Sequence, residues 1–193
     1  MKEERNQKID AKLEPIYPWT RYAIGIDPGL KGGIACIDNL QSKVVLAVST
    51  PTLMDPKSGK PTYDIRSMNT TLTLPCKQYQ GDCSIIIERQ QAMPQQGVVS
   101  MFTTGFGYGI WTALIALAGI PEVMVHVVRS TEWQVILRGE DAKDETKAKS
   151  ITRVHRLFPD VNLTQGRKRV DSDGIADAIN IAHYACMRMV NAT

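Results

Sequence analysis

The 193 residues are 43% hydrophobic and 22% charged, with a formal net charge of +3. These ordinary globular values exclude a disordered or collagen-like chain, and the length fits one domain with one core. The mild net charge hides a local excess: between Lys147 and Val170 stand Lys147, Lys149, Arg153, Arg156, Arg167, Lys168 and Arg169 against a single acid, Asp160.

Residues 1–21 mix five basic and four acidic side chains with no apolar stretch, so no secretory signal is expected there. They read as a flexible N-terminal extension preceding a domain over 22–190. Cys36, Cys76, Cys83 and Cys186 are scattered without a CxxC pair, which fits reduced thiols in a cytosol-like or organellar compartment.

Residues 22–27 (YAIGID), 32–37 (GGIACI) and 43–50 (KVVLAVST) predict three short strands, with Pro28-Gly29 and Asp38-Asn39 supplying the turns of an antiparallel meander. A polar loop over 51–63 and a helix or irregular segment around 65–73, stopped by Pro75, come next. Residues 84–88 (SIIIE) form an apolar run closed by an acid, as a strand buried on both faces requires.

Between Arg89 and Glu122 there is no formal charge. Its Gln- and Pro-rich first half leaves too short an apolar part for a comfortable membrane span, so a buried core helix is expected over 98–118. With a strand at 123–128 it makes a strand–helix–strand crossover and parallel pairing. A short Trp-bearing helix near 130–137, a basic amphipathic helix over 143–158 and a final helix over 172–189 complete an α/β mixed sheet flanked by helices.

Asp27 and Glu88 each close an apolar strand at its carboxyl end, where ligand crevices form in open α/β sheets. In "DSDGIADAIN", Asp173 and Asp177 are four residues apart and share a helix face. Like charges at that spacing, with Gly174 between them, weaken an isolated helix, and a hard divalent cation such as Mg²⁺ would offset the cost. Each acid also has a plainer reading. Asp27 can be a turn acid, Glu88 can pair with Arg89 or Lys77, and Asp173 can stabilise the helix N-terminus, which Asp171 or Ser172 caps.

The pattern "IGIDPGLKGG … IIIERQ … DSDGIADA", in that order, resembles the RuvC-type Holliday-junction resolvases of the ribonuclease H superfamily, in their phage and organelle branches. The resemblance spans about residues 22–187 and implies a ribonuclease H-like mixed five-stranded sheet. It implies that Asp27, Glu88, Asp173 and Asp177 bind two Mg²⁺ ions, with Mn²⁺ as a substitute, and that Lys147 lies near the scissile phosphate. A second family lysine, expected near "STEWQ", falls at Trp133 or Gln134, and a family aromatic after the glutamate has no match in "ERQQAMP".

The expected activity is resolution of four-way DNA junctions by paired nicks. Lys149, Arg153 and Arg156, one helix face by spacing, with Arg167, Lys168 and Arg169, would track the DNA backbone. The near-twofold symmetry of the junction calls for a homodimer, and the small residues Gly105, Gly107, Gly109 and Ala113 would allow close approach of DNA or a second subunit. Competing readings are a ribonuclease H-like nuclease acting on other branched DNA or RNA–DNA hybrids, and a catalytically silent junction-binding protein. An actin-like or sugar-kinase ATPase would need two large lobes that 193 residues cannot supply.

Overall fold

The computed structural model describes residues 17–78, 82–92, 95–138, 146–164 and 170–189. Strands β1 (Tyr22–Asp27), β2 (Gly33–Asp38) and β3 (Lys43–Ser49) form the expected antiparallel meander, with Asp27 opposite Gly33 in register. In the turn after β1, Gly32 N–H donates to the Gly29 carbonyl at 2.9 Å and Gly29 N–H donates to Asp27 Oδ1 at 3.2 Å. Asp27 thus makes its own turn as Asx residues do, while keeping its second oxygen for other work.

Residues 51–63, expected as a loop, instead contain a two-stranded ribbon, β4 (Thr52–Met54) with β5 (Pro61–Tyr63). Asp55 closes its turn by accepting from Lys57 N–H and Ser58 N–H at 2.7 and 2.9 Å. The ribbon buries only Tyr63, at its end, so its side chains give no alternating strand signal. Helix α1 (Ile65–Gln78) starts where Asp64 accepts from Ser67 N–H at 3.1 Å, and it runs through Pro75 rather than stopping there. Near the last turn, proline forfeits one helix hydrogen bond, and its ring is buried against the core.

Strand β6 (Cys83–Glu88) lies parallel to β1, and helix α2 (Val98–Leu117) crosses to β7 (Val125–Val128), which lies parallel to β6. The sheet order is β3-β2-β1-β6-β7, a mixed five-stranded sheet. Strand β7 is shorter than expected because Glu122–Met124 forms a 3-10 turn. Helix α3 (Ser130–Trp133) continues into a 3-10 turn over Gln134–Leu137, followed by α4 (Thr146–Leu157) and α5 (Asp173–Cys186).

Strand alternation divides the core in two. Ile24, Ile26, Ile34, Ile85 and Ile87 pack against α1 and α2, while Ala23, Ala35, Ile37 and Ile86 pack against α5. The α5 side is held at backbone distance by glycines. A Cβ on Gly25 would collide with the Ala178 carbonyl and Ala182 amide, and one on Gly33 would lie 2.8 Å from the Gly174 carbonyl. Gly174 in turn has its own missing Cβ aimed at the Lys31 carbonyl. Gly174 is therefore a packing residue: no side chain fits at that position.

Two expectations need correction. Helix α2 is half core and half surface: Ile110, Trp111, Leu114 and Ile115 are buried, whereas Val98, Val99, Phe102, Phe106 and Leu117 are exposed. It is long and apolar enough to cross a membrane by composition, yet one face of it builds the sheet's core. The domain also begins before residue 22. Tyr17 is buried and bridges Met189, and the buried Thr20 hydroxyl is 3.0 Å from that of Ser84. The rest of the expected extension, residues 1–16, lies outside the described residues.

Gly25→Ala tests the glycine seam. Overpacking a rigid backbone contact typically costs about 1–3 kcal/mol, so the urea midpoint should fall accordingly. A loss under ~0.5 kcal/mol would mean that α5 can shift without penalty.

Candidate active site

Ala23 and Ile86 face α5, so by alternation Asp27 on β1 and Glu88 on β6 face it as well. Ile26 and Ile87 are register partners, and one step further puts Asp27 beside Glu88 on adjacent strands, with backbones about 4.8 Å apart. These two acids, distant in sequence, are neighbours because β1 and β6 pair in parallel.

Helix α5 brings two more. Ser172 caps it by accepting from Ile175 N–H at 3.3 Å, and Asp171 is engaged by His155 Nε2 at 2.7 Å. Capping therefore falls to neither Asp173 nor Asp177. Asp173 pairs with Lys147 from α4. Asp177, one turn on, is hydrogen-bonded to Ser150, whose hydroxyl also accepts from Asn180 Nδ2 at 2.8 Å.

The electrostatics follow from burial first and from crowding second. Burial pushes Asp27 up to about 6, with a further rise from Asp173, against the lowering effect of the Gly29 N–H bond. Burial and then Asp27 raise Glu88 to about 7, opposed by the bond from Trp133. Burial raises Asp177 to about 7; the Ser150 bond opposes it, and Asp27, Glu88 and Asp173 add to it. Asp173 alone goes the other way, because Lys147 outweighs its partial burial. Lys147 is raised in return, chiefly by Asp173 and also by Asp177 and Asp27. These mutual effects place the four acids and Lys147 in one electrostatic neighbourhood.

Asp177 Oδ1 is buried with no hydrogen-bond partner among the described residues. An orphaned carboxylate oxygen in a cluster of acids suits oxygen-coordinated cations such as Mg²⁺. Among the described residues, however, no three acidic, histidine or cysteine side chains are gathered tightly enough to hold an ion as they stand. Burial, and after it the mutual repulsion of the acids, accounts for the raised proton affinities.

The basic residues divide. Arg156 is exposed and Lys149 half-buried, but Arg153 is only 2% exposed. Its guanidinium is 3.2 Å from His183 Nδ1 and 3.7 Å from the Met187 sulfur, inside the α4–α5 contact. Arg153 is thus a core residue and does not join the expected phosphate-tracking face; helical spacing alone did not reveal which side of α4 meets α5. Burial, with Arg153 and Arg156, depresses His183 to about 3, so it is neutral and accepts the bond from Arg153. Arg167, Lys168 and Arg169 lie outside the described residues.

Two residues of the site escaped sequence reasoning. Trp133 Nε1–H donates to Glu88 Oε2 at 2.7 Å, at one of the two positions where the resemblance led to a lysine. Ser150, on the buried face of α4, holds Asp177. A buried tryptophan and serine look like ordinary core in sequence, and only the tertiary contact distinguishes them.

No family model and no curated protein sequence matches the chain. Solved structures do. RuvC of T. thermophilus in complex with a Holliday junction substrate is 17% identical with a TM-score of 0.56, the match covering 86% of this chain and 92% of that one. The yeast mitochondrial Holliday junction resolvase Ydc2 is also 17% identical, with a TM-score of 0.55 and coverage of 97% and 85%. At such identity the likeness establishes the fold: the chain has the RuvC-type, ribonuclease H-like architecture.

A carboxyl group whose folded pKa is raised favours the folded state at low pH and loses that contribution as pH climbs from its unfolded value through the folded one. For Asp177 the window runs from 3.8 to about 7. In EDTA, Asp177→Asn should therefore gain stability relative to the parent from pH 5 to pH 8, by roughly 3 °C or more in Tm at pH 8. Parallel melting curves across that range would rule out the buried, repelled carboxylate.

Proposed function

We propose that the chain is a structure-selective DNA endonuclease that resolves four-way junctions by metal-dependent hydrolysis, making paired symmetric nicks. The observation that carries this reading is the convergence of Asp27, Glu88 and Asp177, with the Lys147–Asp173 pair, at the carboxyl ends of β1 and β6. The fold, shared with RuvC in complex with a Holliday junction substrate and with the yeast mitochondrial resolvase, supports the choice of substrate.

Asp27, Glu88, Asp173 and Asp177 would hold two Mg²⁺ ions, which supply a water of lowered pKa and stabilise charge on the leaving oxygen. Asp27 is coupled electrostatically to Glu88 on the neighbouring strand and to Asp173 and Asp177 on α5, so it would contribute to holding cations with either set. Ser150 fixes one side of Asp177, leaving Oδ1 for a ligand. Lys147 is 74% exposed at its side chain and carries its charge at the mouth of the site, where it can exchange Asp173 for a phosphoryl oxygen. Lys149 and Arg156 on α4, with Arg167, Lys168 and Arg169 following in the sequence, would supply positive charge that draws a polyanion toward the acids.

Two matched nicks need two sites. We assign the second copy to the exposed face of α2, where Phe102 and Phe106 stack at 6.1 Å beside Val98 and Val99. Gly105 and Gly109 open onto solvent on the same side, whereas Gly107 is packed inward against Tyr63 and Pro28. A symmetric junction is served by a symmetric pair of subunits.

Incubation with synthetic four-way junctions and Mg²⁺ should give paired symmetric nicks, reduced at least ~10²-fold by Asp27→Asn. Equal cutting of linear RNA–DNA hybrids would favour a broader ribonuclease H-like nuclease, and tight binding without nicks would favour a silent junction-binding protein. By light scattering the parent should be a dimer at micromolar concentration and Phe102→Asp a monomer. A monomeric parent would overturn the paired arrangement.

A further inference from the structure

Glu88 differs from the other acids in how it is held. Asp27 is tied to its own turn, Asp177 to Ser150 and Asp173 to a lysine. Glu88 Oε2 instead takes a 2.7 Å bond from the indole N–H of Trp133. Trp133 is 1% exposed and packs with Ile136, Leu137 and Val154, so its ring cannot swing without disturbing the core between α3 and α4. The turn that carries it is itself fixed: Arg129 N–H donates to Glu132 Oε2 at 2.6 Å, and Trp133 N–H reaches back to the Arg129 carbonyl. The bond is also not a general habit of buried tryptophans in this chain, since Trp111 Nε1 has no partner among the described residues.

An indole is a donor only and is uncharged across the pH range in which proteins fold. It can orient a carboxylate without neutralising it. From this we infer that Trp133 is a positioning residue for cation binding at Glu88: it locks Oε2 and leaves Oε1 as the atom to meet the cation. The inference rests on the metal-dependent reading above. Hydrogen-bonding partners of metal-binding carboxylates commonly influence metal affinity 10–100-fold.

Trp133→Phe removes the N–H and keeps most of the ring. By titration calorimetry with Mn²⁺ at pH 7.5, the variant should bind ~10–100-fold more weakly than the parent, and the Mg²⁺ concentration for half-maximal cleavage should rise in step. Junction binding in Ca²⁺-free EDTA buffer should not change. Because a core tryptophan is being replaced, the parent supplies an independent readout in ¹⁵N spectra, with indole signals assigned from Trp19→Phe and Trp111→Phe. On Mg²⁺ addition the Trp133 indole N–H should shift while that of Trp111 stays. Equal Mn²⁺ affinity of parent and variant, or a Trp133 indole signal indifferent to Mg²⁺ in a parent that binds it, would overturn the positioning role alone. A parent that binds neither cation would overturn the metal-dependent reading and this inference with it.

Discussion

Carboxylates crowded into a partly buried pocket repel one another, and that repulsion is the constraint around which this fold is arranged. Parallel pairing of β1 with β6 sets Asp27 next to Glu88, and α5 adds Asp173 and Asp177 from the side. Burial and mutual repulsion raise three of the four toward neutrality. A free chain would relieve the strain by moving the acids apart. Here each is anchored by a different device: an Asx turn, an indole N–H, a serine hydroxyl and a lysine.

The anchors work because α5 cannot retreat from the sheet. Gly25, Gly33 and Gly174 let backbone meet backbone, which brings α5 from Gly174 to Ala182 against the β1–β2 hairpin. The helix tolerates a glycine in its first turn, at some cost in propensity, because its packed face compensates. The same contact explains the four-residue spacing of its acids. An acid at position 174 would point into the Lys31 carbonyl, so Asp173 occupies the edge of the pocket instead, where Lys147 reaches it.

Charge on the outside is arranged with opposite sign. The basic stretch that begins at Lys147 runs along α4, and Lys147 stands beside the acids, which in the proposed reading offsets their repulsion of a polyanion. Not every basic residue takes part. Arg153 is turned inward to hold α4 against α5 through His183 and Met187, and so it steadies the helix that carries Lys147 and Ser150.

Much of this was legible in the chain itself. Apolar runs ending in Asp27 and Glu88 announced strand ends, Pro-Gly and Asp-Asn announced turns, and the four-residue spacing of Asp173 and Asp177 placed both on one face, because these signals are local and periodic. The β4–β5 ribbon and the continuation of α1 through Pro75 were not legible, since the ribbon buries only Tyr63 and a terminal-turn proline costs a single hydrogen bond. Nor could sequence assign Gly174 to packing, Arg153 to the core, or Trp133 and Ser150 to the acids. Those roles depend on which surfaces meet across long sequence separations, and the same residue types in the same local pattern would serve equally well elsewhere. Local chemistry named the acids; only tertiary contact decided what holds each of them in place.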